Sequence, residues 1–248
     1  MNDCLWIYGP HNRLYYNQLT LPNILEECSI SNRFAHLLII DDNSTDGTSE
    51  WIKAIDFDSI PNLKGKVTYQ RQKVGNSYDQ WNIGWEFAEQ LGGIKYMMNL
   101  CNDLLIPLNI LDVAAKALDS HKKAFGIGFK HDGQLMQHKQ VFTHWPVITL
   151  PHRIREVSHI GAGLIRLEFM KLEGKIKGST IPGEERYFGF TQYQNLLRQY
   201  HNKTMLTADS VQVLPLDKSR AYSLNDKYIK QGYSRKVVGN EPDYTVLR

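Results

Sequence analysis

Apolar residues in this chain fall into short continuous runs, separated by segments where they recur every three or four positions, as buried strands alternating with amphipathic helices require. The first run is CLWIY at Cys4–Tyr8, broken by Gly9-Pro10-His11-Asn12. Leu21, Ile24, Leu25 and Cys28 then recur at helical spacing, with Thr20 placed to cap the helix and Pro22 tolerated in its first turn. Residues 36–55, HLLIIDDNSTDGTSEWIKAI, hold a second apolar run, two aspartates, a polar turn and a helix with Thr48, Ile52 and Ile55 on one face. Residues 66–70 alternate as a third, shorter strand. The next helix places Trp81, Gly84, Trp85, Ala88 and Leu91 on one side, a spacing that makes the tryptophans core residues rather than stacking platforms. Residues 94–100 (IKYMMNL) form a further buried strand. Strands alternating with helices predict a parallel sheet covered on both faces.

The second half is less regular. Leu111, Ala114, Ala115 and Leu118 predict a helix, and residues 124–129 (AFGIGF) a strand. Residues 130–155 loosen into short pieces carrying His131, His138, His144 and His152, with no HExxH spacing and so no argument for zinc. An apolar run returns at residues 157–167, where Gly161 and Gly163 allow close backbone approach to a ligand or a neighbouring strand. After a loop rich in lysine and glycine, Gly183-Glu184-Glu185-Arg186 precedes a helix with Tyr193, Leu196, Leu197 and Tyr200 on one side. Residues 211–216 are the last strand candidate, and the remainder to Arg248 is polar.

Composition narrows the class. A length of 248 residues with 42% hydrophobic content supports a sizeable core without staples. A formal charge of +3 is too small and too dispersed for a nucleic-acid-binding stripe. Cys4, Cys28 and Cys101 are scattered and odd in number, which supports neither a disulfide framework nor a zinc site and makes the reduced cytoplasm the natural compartment. There is no signal-peptide pattern at the N-terminus, and no apolar run approaches the roughly 18 residues of a membrane span, so a soluble protein is expected.

Chemistry concentrates where parallel strands end, because ligands of α/β sheets bind outside the carboxyl ends of their strands. Asp41 and Asp42 fall at the mouth of the second strand, either as ligand-binding groups or as a strand end. Asp46 is placed to cap the following helix by accepting from its free N–H groups. Asp103 arrives at the end of residues 94–100, hence at the same edge, close enough to Asp41 and Asp42 to share a nucleotide or a metal ion. Glu184 and Glu185 also read as an acidic first helical turn, favourable against the helix dipole.

The order of these motifs resembles the inverting glycosyltransferases of family 2. DDNSTDGT at residues 41–48, Asn82-Ile83-Gly84, YMMNLCNDLLIP at 96–107, GAGLIRLEFM at 161–170 and GEERYF at 183–188 follow the family's sequence of segments. The resemblance implies a GT-A fold: a Rossmann-like, mostly parallel central sheet flanked by helices, with a smaller mixed part on the acceptor side. It implies one catalytic domain over residues 1–216, with a nucleotide-sugar half near 1–107 and an acceptor half near 108–216, followed by an extension at 217–248. By the same resemblance Asp42 or its neighbour Asp41 accepts from the nucleobase, the loop with Gly9 and His11 contacts that base, and Arg71, Lys73 and Asn102 line the donor site. Asp103 matches the acid that holds Mn²⁺ or Mg²⁺ against the donor diphosphate, an oxygen-ligand role. Cys101 stands where the motif's first acid belongs, and a thiol is a poor ligand for such an ion. Glu185, with Glu184 competing, matches the general base that takes the acceptor hydroxyl proton. The implied partners are a nucleotide-diphosphate sugar, most simply a UDP-sugar, and a glycan or glycoconjugate acceptor. Two other readings stand beside this one, a sugar-phosphate nucleotidyltransferase and a non-catalytic binding module of the same fold.

Overall fold

The computed structural model describes residues 2–74, 77–100, 102, 104–131, 154–157, 160, 163–178 and 189–215. Strands β1 (Cys4–Tyr8), β2 (Phe34–Asp41), β3 (Lys66–Arg71) and β4 (Tyr96–Leu100) are joined through helices α1 (Leu14–Ile30), α2 (Thr48–Lys53) and α3 (Ser77–Leu91). Each of these strands pairs in parallel, in the order β3-β2-β1-β4. Beyond β4 the chain forms β5 (Leu104–Leu105), α4 (Ile110–Ser120), β6 (Ala124–His131), β7 (Ile154–Val157), β8 (Gly163–Arg166), the short α5 (Met170–Glu173), α6 (Gly189–His201) and β9 (Thr204–Pro215). These extend the sheet as β8-β6-β9-β5, with β7 also on β9. β8 is antiparallel to both β4 and β6, so the direction changes at β4 and the second half is mixed.

The alternation of each strand sorts the core into two layers. Cys4, Trp6, Tyr8, Leu37, Ile39 and Met98 face α1 and α4, where Leu21, Ile24, Leu111, Ala114 and Leu118 meet them. Leu5, Ile7, Leu38, Ile40 and Met97 face the other side, against Trp81 and Ala88 of α3 and Tyr193 and Leu197 of α6. β1 is buried at every position, as a strand covered by helices on both faces must be. Two glycines mark close approaches. A side-chain carbon on Gly84 would overlap Ile7 Cδ1 and lie 2.8 Å from Met97 Sδ, so α3 sits directly on β1 and β4. One on Gly163 would strike the Ile127 carbonyl and Gly128 Cα of β6, which makes that glycine's neighbour a strand.

Several boundaries differ from those read off the pattern. α1 begins at Leu14, so Thr20 and Pro22 lie inside the helix rather than at its start. Thr20 is not a cap: its hydroxyl bonds back to the Tyr16 carbonyl at 3.0 Å. In α6, Tyr193 and Leu197 are buried but Tyr200 is 73% exposed and Leu196 38% exposed. The face that packs is completed by Gln194, whose amide clasps Ile160 N–H and C=O at 2.7 and 2.8 Å, a polar core position that hydrophobic periodicity does not detect. Leu91 is likewise 43% exposed at the end of α3. β9 starts at Thr204, seven residues before the apolar stretch at residue 211, because pairing with β6 and β7 continues through its more polar half.

Candidate functional site

Because β1 to β4 run the same way, their carboxyl ends share one edge. β1 has β2 and then β3 on one side, and the chain returns to add β4 on the other, so the strand order reverses beside β1, the topological switch where α/β sheets hold ligands. Three loops are laced together there. Asp42 N–H donates to the Pro10 carbonyl at 2.9 Å, and His11 Nδ1 donates to the Asp42 carbonyl at 2.7 Å. Val74 N–H donates to Asp42 Oδ1 at 2.7 Å, and Gln72 N–H to the Asp41 carbonyl at 3.0 Å. Gly9 is packed against the terminal amide of the Gln80 side chain of α3, which a larger residue there would have to displace.

The two adjacent aspartates have different surroundings, as successive residues at a strand end point to opposite faces. Asp41 is fully buried. Its carboxylate accepts from Ser44 N–H at 2.9 Å, from Tyr69 Oη at 2.8 Å and from Ser49 Oγ. Burial works against its charge, but the hydrogen bonds from Ser44, Ser49 and Tyr69 outweigh that and hold its pKa below the usual carboxylate value. Asp42 is half-buried at the loop surface beside exposed His11. Asp46 spans the first N–H groups of two helices, Leu14 of α1 at 2.8 Å and Thr48 of α2 at 3.1 Å. Its expected capping role is therefore seen, extended to a second helix. Burial again opposes its charge and the bonds from Thr48 and Leu14 prevail, lowering its pKa. Arg71 Nη2 donates to the Ser44 carbonyl at 3.0 Å, while Lys73 is exposed on the adjacent loop.

Sequence pattern did not find the polar residues beneath this edge. Asn17, Thr20, Asn23 and Glu27 form a stripe on the inner side of α1, each at most 1% exposed. Their spacing of three or four was a usable signal, since four hydrogen-bonding residues in a buried helix face need partners. Asn102, after β4, is one of them: its amide donates to Asn17 Oδ1 at 3.2 Å and its carbonyl accepts from Thr20 Oγ1 at 3.2 Å. Asn12 and Arg13 adopt left-handed backbone, φ 52° and 64°, a conformation that non-glycine residues hold only when their surroundings enforce it. Asn82 of the Asn82-Ile83-Gly84 segment is also structural, clasping Ile176 N–H and C=O at 2.8 Å each. Gly189 at the start of α6 rests on the Lys177 carbonyl, so the chain on both sides of residues 179–188 meets beside α3.

Asp103, Cys101, Glu184 and Glu185 lie outside the described residues. Among the described residues no three His, Cys, Asp or Glu side chains are grouped to hold a metal ion. No helix among them is long and apolar enough to cross a membrane.

A three-layer sheet of this order, changing direction after the fourth strand, has the GT-A architecture of the glycosyltransferases. No protein-family model and no curated sequence matches the chain. Solved structures do. S. aureus TarS 1–349 in complex with UDP-GlcNAc matches with a TM-score of 0.57 at 15% identity, over 98% of this chain and 68% of that one. The mannosyltransferase PcManGT from Pyrobaculum calidifontis, in complex with GDP-Man and Mn²⁺, matches with a TM-score of 0.60 at 12% identity, over 96% of this chain and 65% of its own. GalNAc-T7 with UDP, GalNAc and Mn²⁺ gives 0.59 at 11% identity, over 97% and 52%. In the TarS 1–349 structure without a named ligand the chain spans 63% of the fragment's length. At these identities the likeness establishes the fold.

Proposed function

We propose that this chain is an inverting glycosyltransferase of the family 2 type, moving a hexose from a nucleotide-diphosphate donor, most simply a UDP-sugar, to a hydroxyl of a glycan or glycoconjugate in the cytoplasm. The observation that carries this reading is Asp42. Its carboxylate is oriented by Val74 N–H and its backbone is gripped by Pro10 and His11, at the switch point of the sheet. A carboxylate fixed there accepts well from a pyrimidine N–H. Asp41, fully buried and engaged by three donors, is assigned to holding the loop rather than the base. Gly9 and His11 flank the base, Asn102 faces the donor from the β4 end, and Lys73 with Arg71 supplies positive charge for the diphosphate. The neighbours' UDP-GlcNAc, UDP and GDP-Man ligands support a nucleotide-sugar donor.

Asp103 is the residue we assign to holding a divalent ion, which when bound would neutralise charge on the departing diphosphate, a charge that Lys73 and Arg71 also meet. In the transfer, the acceptor oxygen forms a bond to the anomeric carbon as the bond from that carbon to the diphosphate oxygen breaks. The acceptor proton passes to Glu185, with Glu184 as the competing base, and the nucleoside diphosphate leaves. Residues 1–216 would form the catalytic domain, 1–107 holding the donor and 108–216 the acceptor.

The test is incubation with a panel of nucleotide sugars, Mn²⁺ and glycan acceptors. Release of a nucleoside diphosphate supports the proposal, and its loss in Glu185→Gln with donor binding kept supports the base assignment. Pyrophosphate release from a nucleoside triphosphate and a sugar phosphate would replace it with a nucleotidyltransferase. Saturable binding without turnover would make the chain a binding module.

A further inference from the structure

The buried polar stripe of α1 does more than fill space. Asn17 touches four separate parts of the molecule. Its Oδ1 accepts from Tyr8 Oη of β1 at 2.6 Å and from Asn102 Nδ2 at 3.2 Å. Its Nδ2 donates to the carbonyls of Asn12 at 2.7 Å and Arg13 at 3.1 Å, with Thr48 Oγ1 of α2 at 3.3 Å. The two carbonyls belong to the left-handed pair that bends the loop after β1, so the amide holds that loop in a conformation it would not keep unaided.

The rest of the stripe grips the chain that follows β4. Thr20 has one hydroxyl proton and three oxygens in range: Tyr8 Oη at 2.8 Å, the Tyr16 carbonyl at 3.0 Å and the Asn102 carbonyl at 3.2 Å. Asn23 clasps Ile106, donating to its carbonyl at 3.2 Å and accepting from its N–H at 2.8 Å. Glu27 accepts from Leu111 N–H at 2.9 Å and from Asn109 N–H, which start α4. Four side chains on one helix thus hold residues 102, 106, 109 and 111, and only Asn17 also holds the loop at residues 12–13.

We infer that Asn17 is a positioning residue that fixes the loop after β1 to the turn at Asn102, and so sets the spacing between the nucleobase and diphosphate halves of the donor site. The inference rests on the donor-site reading above. Asn17 touches no ligand in this scheme; it acts through Asn12, Arg13 and Asn102. Its consequence is a coupling. With Asn17 intact, a nucleoside and its diphosphate, joined in one ligand, meet both halves at the right separation. With the link cut, each half persists but the gain from joining them falls.

The experiment compares Kd for uridine with Kd for UDP, and guanosine with GDP, by calorimetry at fixed Mn²⁺ and well below the unfolding midpoint. Wild type is set beside Asn17→Asp, which keeps the shape and loses both N–H donors, and Thr20→Val, which loses the bond to the Asn102 carbonyl. Ser31→Ala serves as a control, since Ser31 bonds Asp112 at the far end of α1. The expected result is a ratio of nucleoside to diphosphate Kd that falls about tenfold in Asn17→Asp and less in Thr20→Val, the scale of losing one buried bond network. Ser31→Ala should lower the midpoint and leave the ratio alone. An unchanged ratio in both Asn17→Asp and Thr20→Val, with wild type binding the diphosphate, overturns this inference and spares the donor site. Failure of wild type to bind either diphosphate overturns both.

Discussion

Replacing Asp41 by alanine tests the division of labour between the adjacent aspartates. The side chain is fully buried and accepts from Ser44 N–H, Ser49 Oγ and Tyr69 Oη. Hydrogen bonds to a charged acceptor contribute about 1.5–3 kcal/mol each, but the three losses are unequal. Tyr69 is half-buried and recovers a bond to water, and Ser49 Oγ has the Ser44 carbonyl at 3.5 Å as a second acceptor. Ser44 N–H, on a residue 1% exposed, has no such recourse. The sum is about 3–4 kcal/mol, a large part of the roughly 5–15 kcal/mol that holds a typical domain folded. Urea unfolding followed by tryptophan fluorescence reads it as a lower midpoint at unchanged slope. Asp41→Asn should cost less, because the two hydroxyls can reverse and accept from the new amide. Its depressed pKa also fixes the pH window. The stabilisation from ionised Asp41 is present above the ordinary aspartate pKa of about 4 and is lost as pH falls through the lower folded value. A loss below about 1 kcal/mol in Asp41→Ala, on the scale of an exposed substitution, would refute the view that this carboxylate holds the loop.

Asp42→Asn should show the opposite balance: the Val74 N–H still finds an oxygen, so the unfolding midpoint stays within about 0.5 kcal/mol of wild type, while UDP binding by calorimetry weakens about tenfold or more. Glu27 sets a different pH signature, since burial, with a smaller push from Asp112, raises its pKa to about 7 despite the N–H groups of Leu111 and Asn109. The folded state then holds this proton more tightly than the unfolded one, so the contribution of Glu27 to stability should fall by about 3 kcal/mol as pH rises from about 4.5 to about 7. Glu27→Gln removes that slope, and the difference between the two urea-midpoint curves cancels the opposing contribution of His36, whose pKa is lowered by burial and by Lys66. Gly84→Ala should destabilise by about 1–3 kcal/mol through overlap with Ile7, and Ile7→Val in the same chain should recover part of it in thermal melts.

The first four strands were legible because their signals are local. An apolar run followed by DDNSTDGT states a strand, an acidic mouth and a helix start within a dozen residues, and β2 ends at Asp41 as that pattern requires. The same locality explains the errors. Thr20 before Pro22 resembles a helix start, and only the contacts of Tyr8, Tyr16 and Asn102 show it to be an interior residue with buried partners. Leu196 and Tyr200 satisfy helical periodicity, yet exposure leaves them outside the core while Gln194 lies within it.

By itself the sequence determined that β1 to β4 alternate with helices and run parallel, and that acidic residues follow β2 and β4. These follow from side-chain periodicity and chain order, which act over a few residues. Tertiary structure alone decided that β8 inserts antiparallel between β4 and β6, that Asp41 is occupied by Ser44, Ser49 and Tyr69 while Asp42 lines the loop surface, and that Asn17 ties the first loop to Asn102. The pairing of β8, the Tyr69 contact of Asp41 and the Asn17–Asn102 bond depend on partners far apart in the chain; the three-to-four spacing on α1 signals a buried polar face but not which residue each member pairs with.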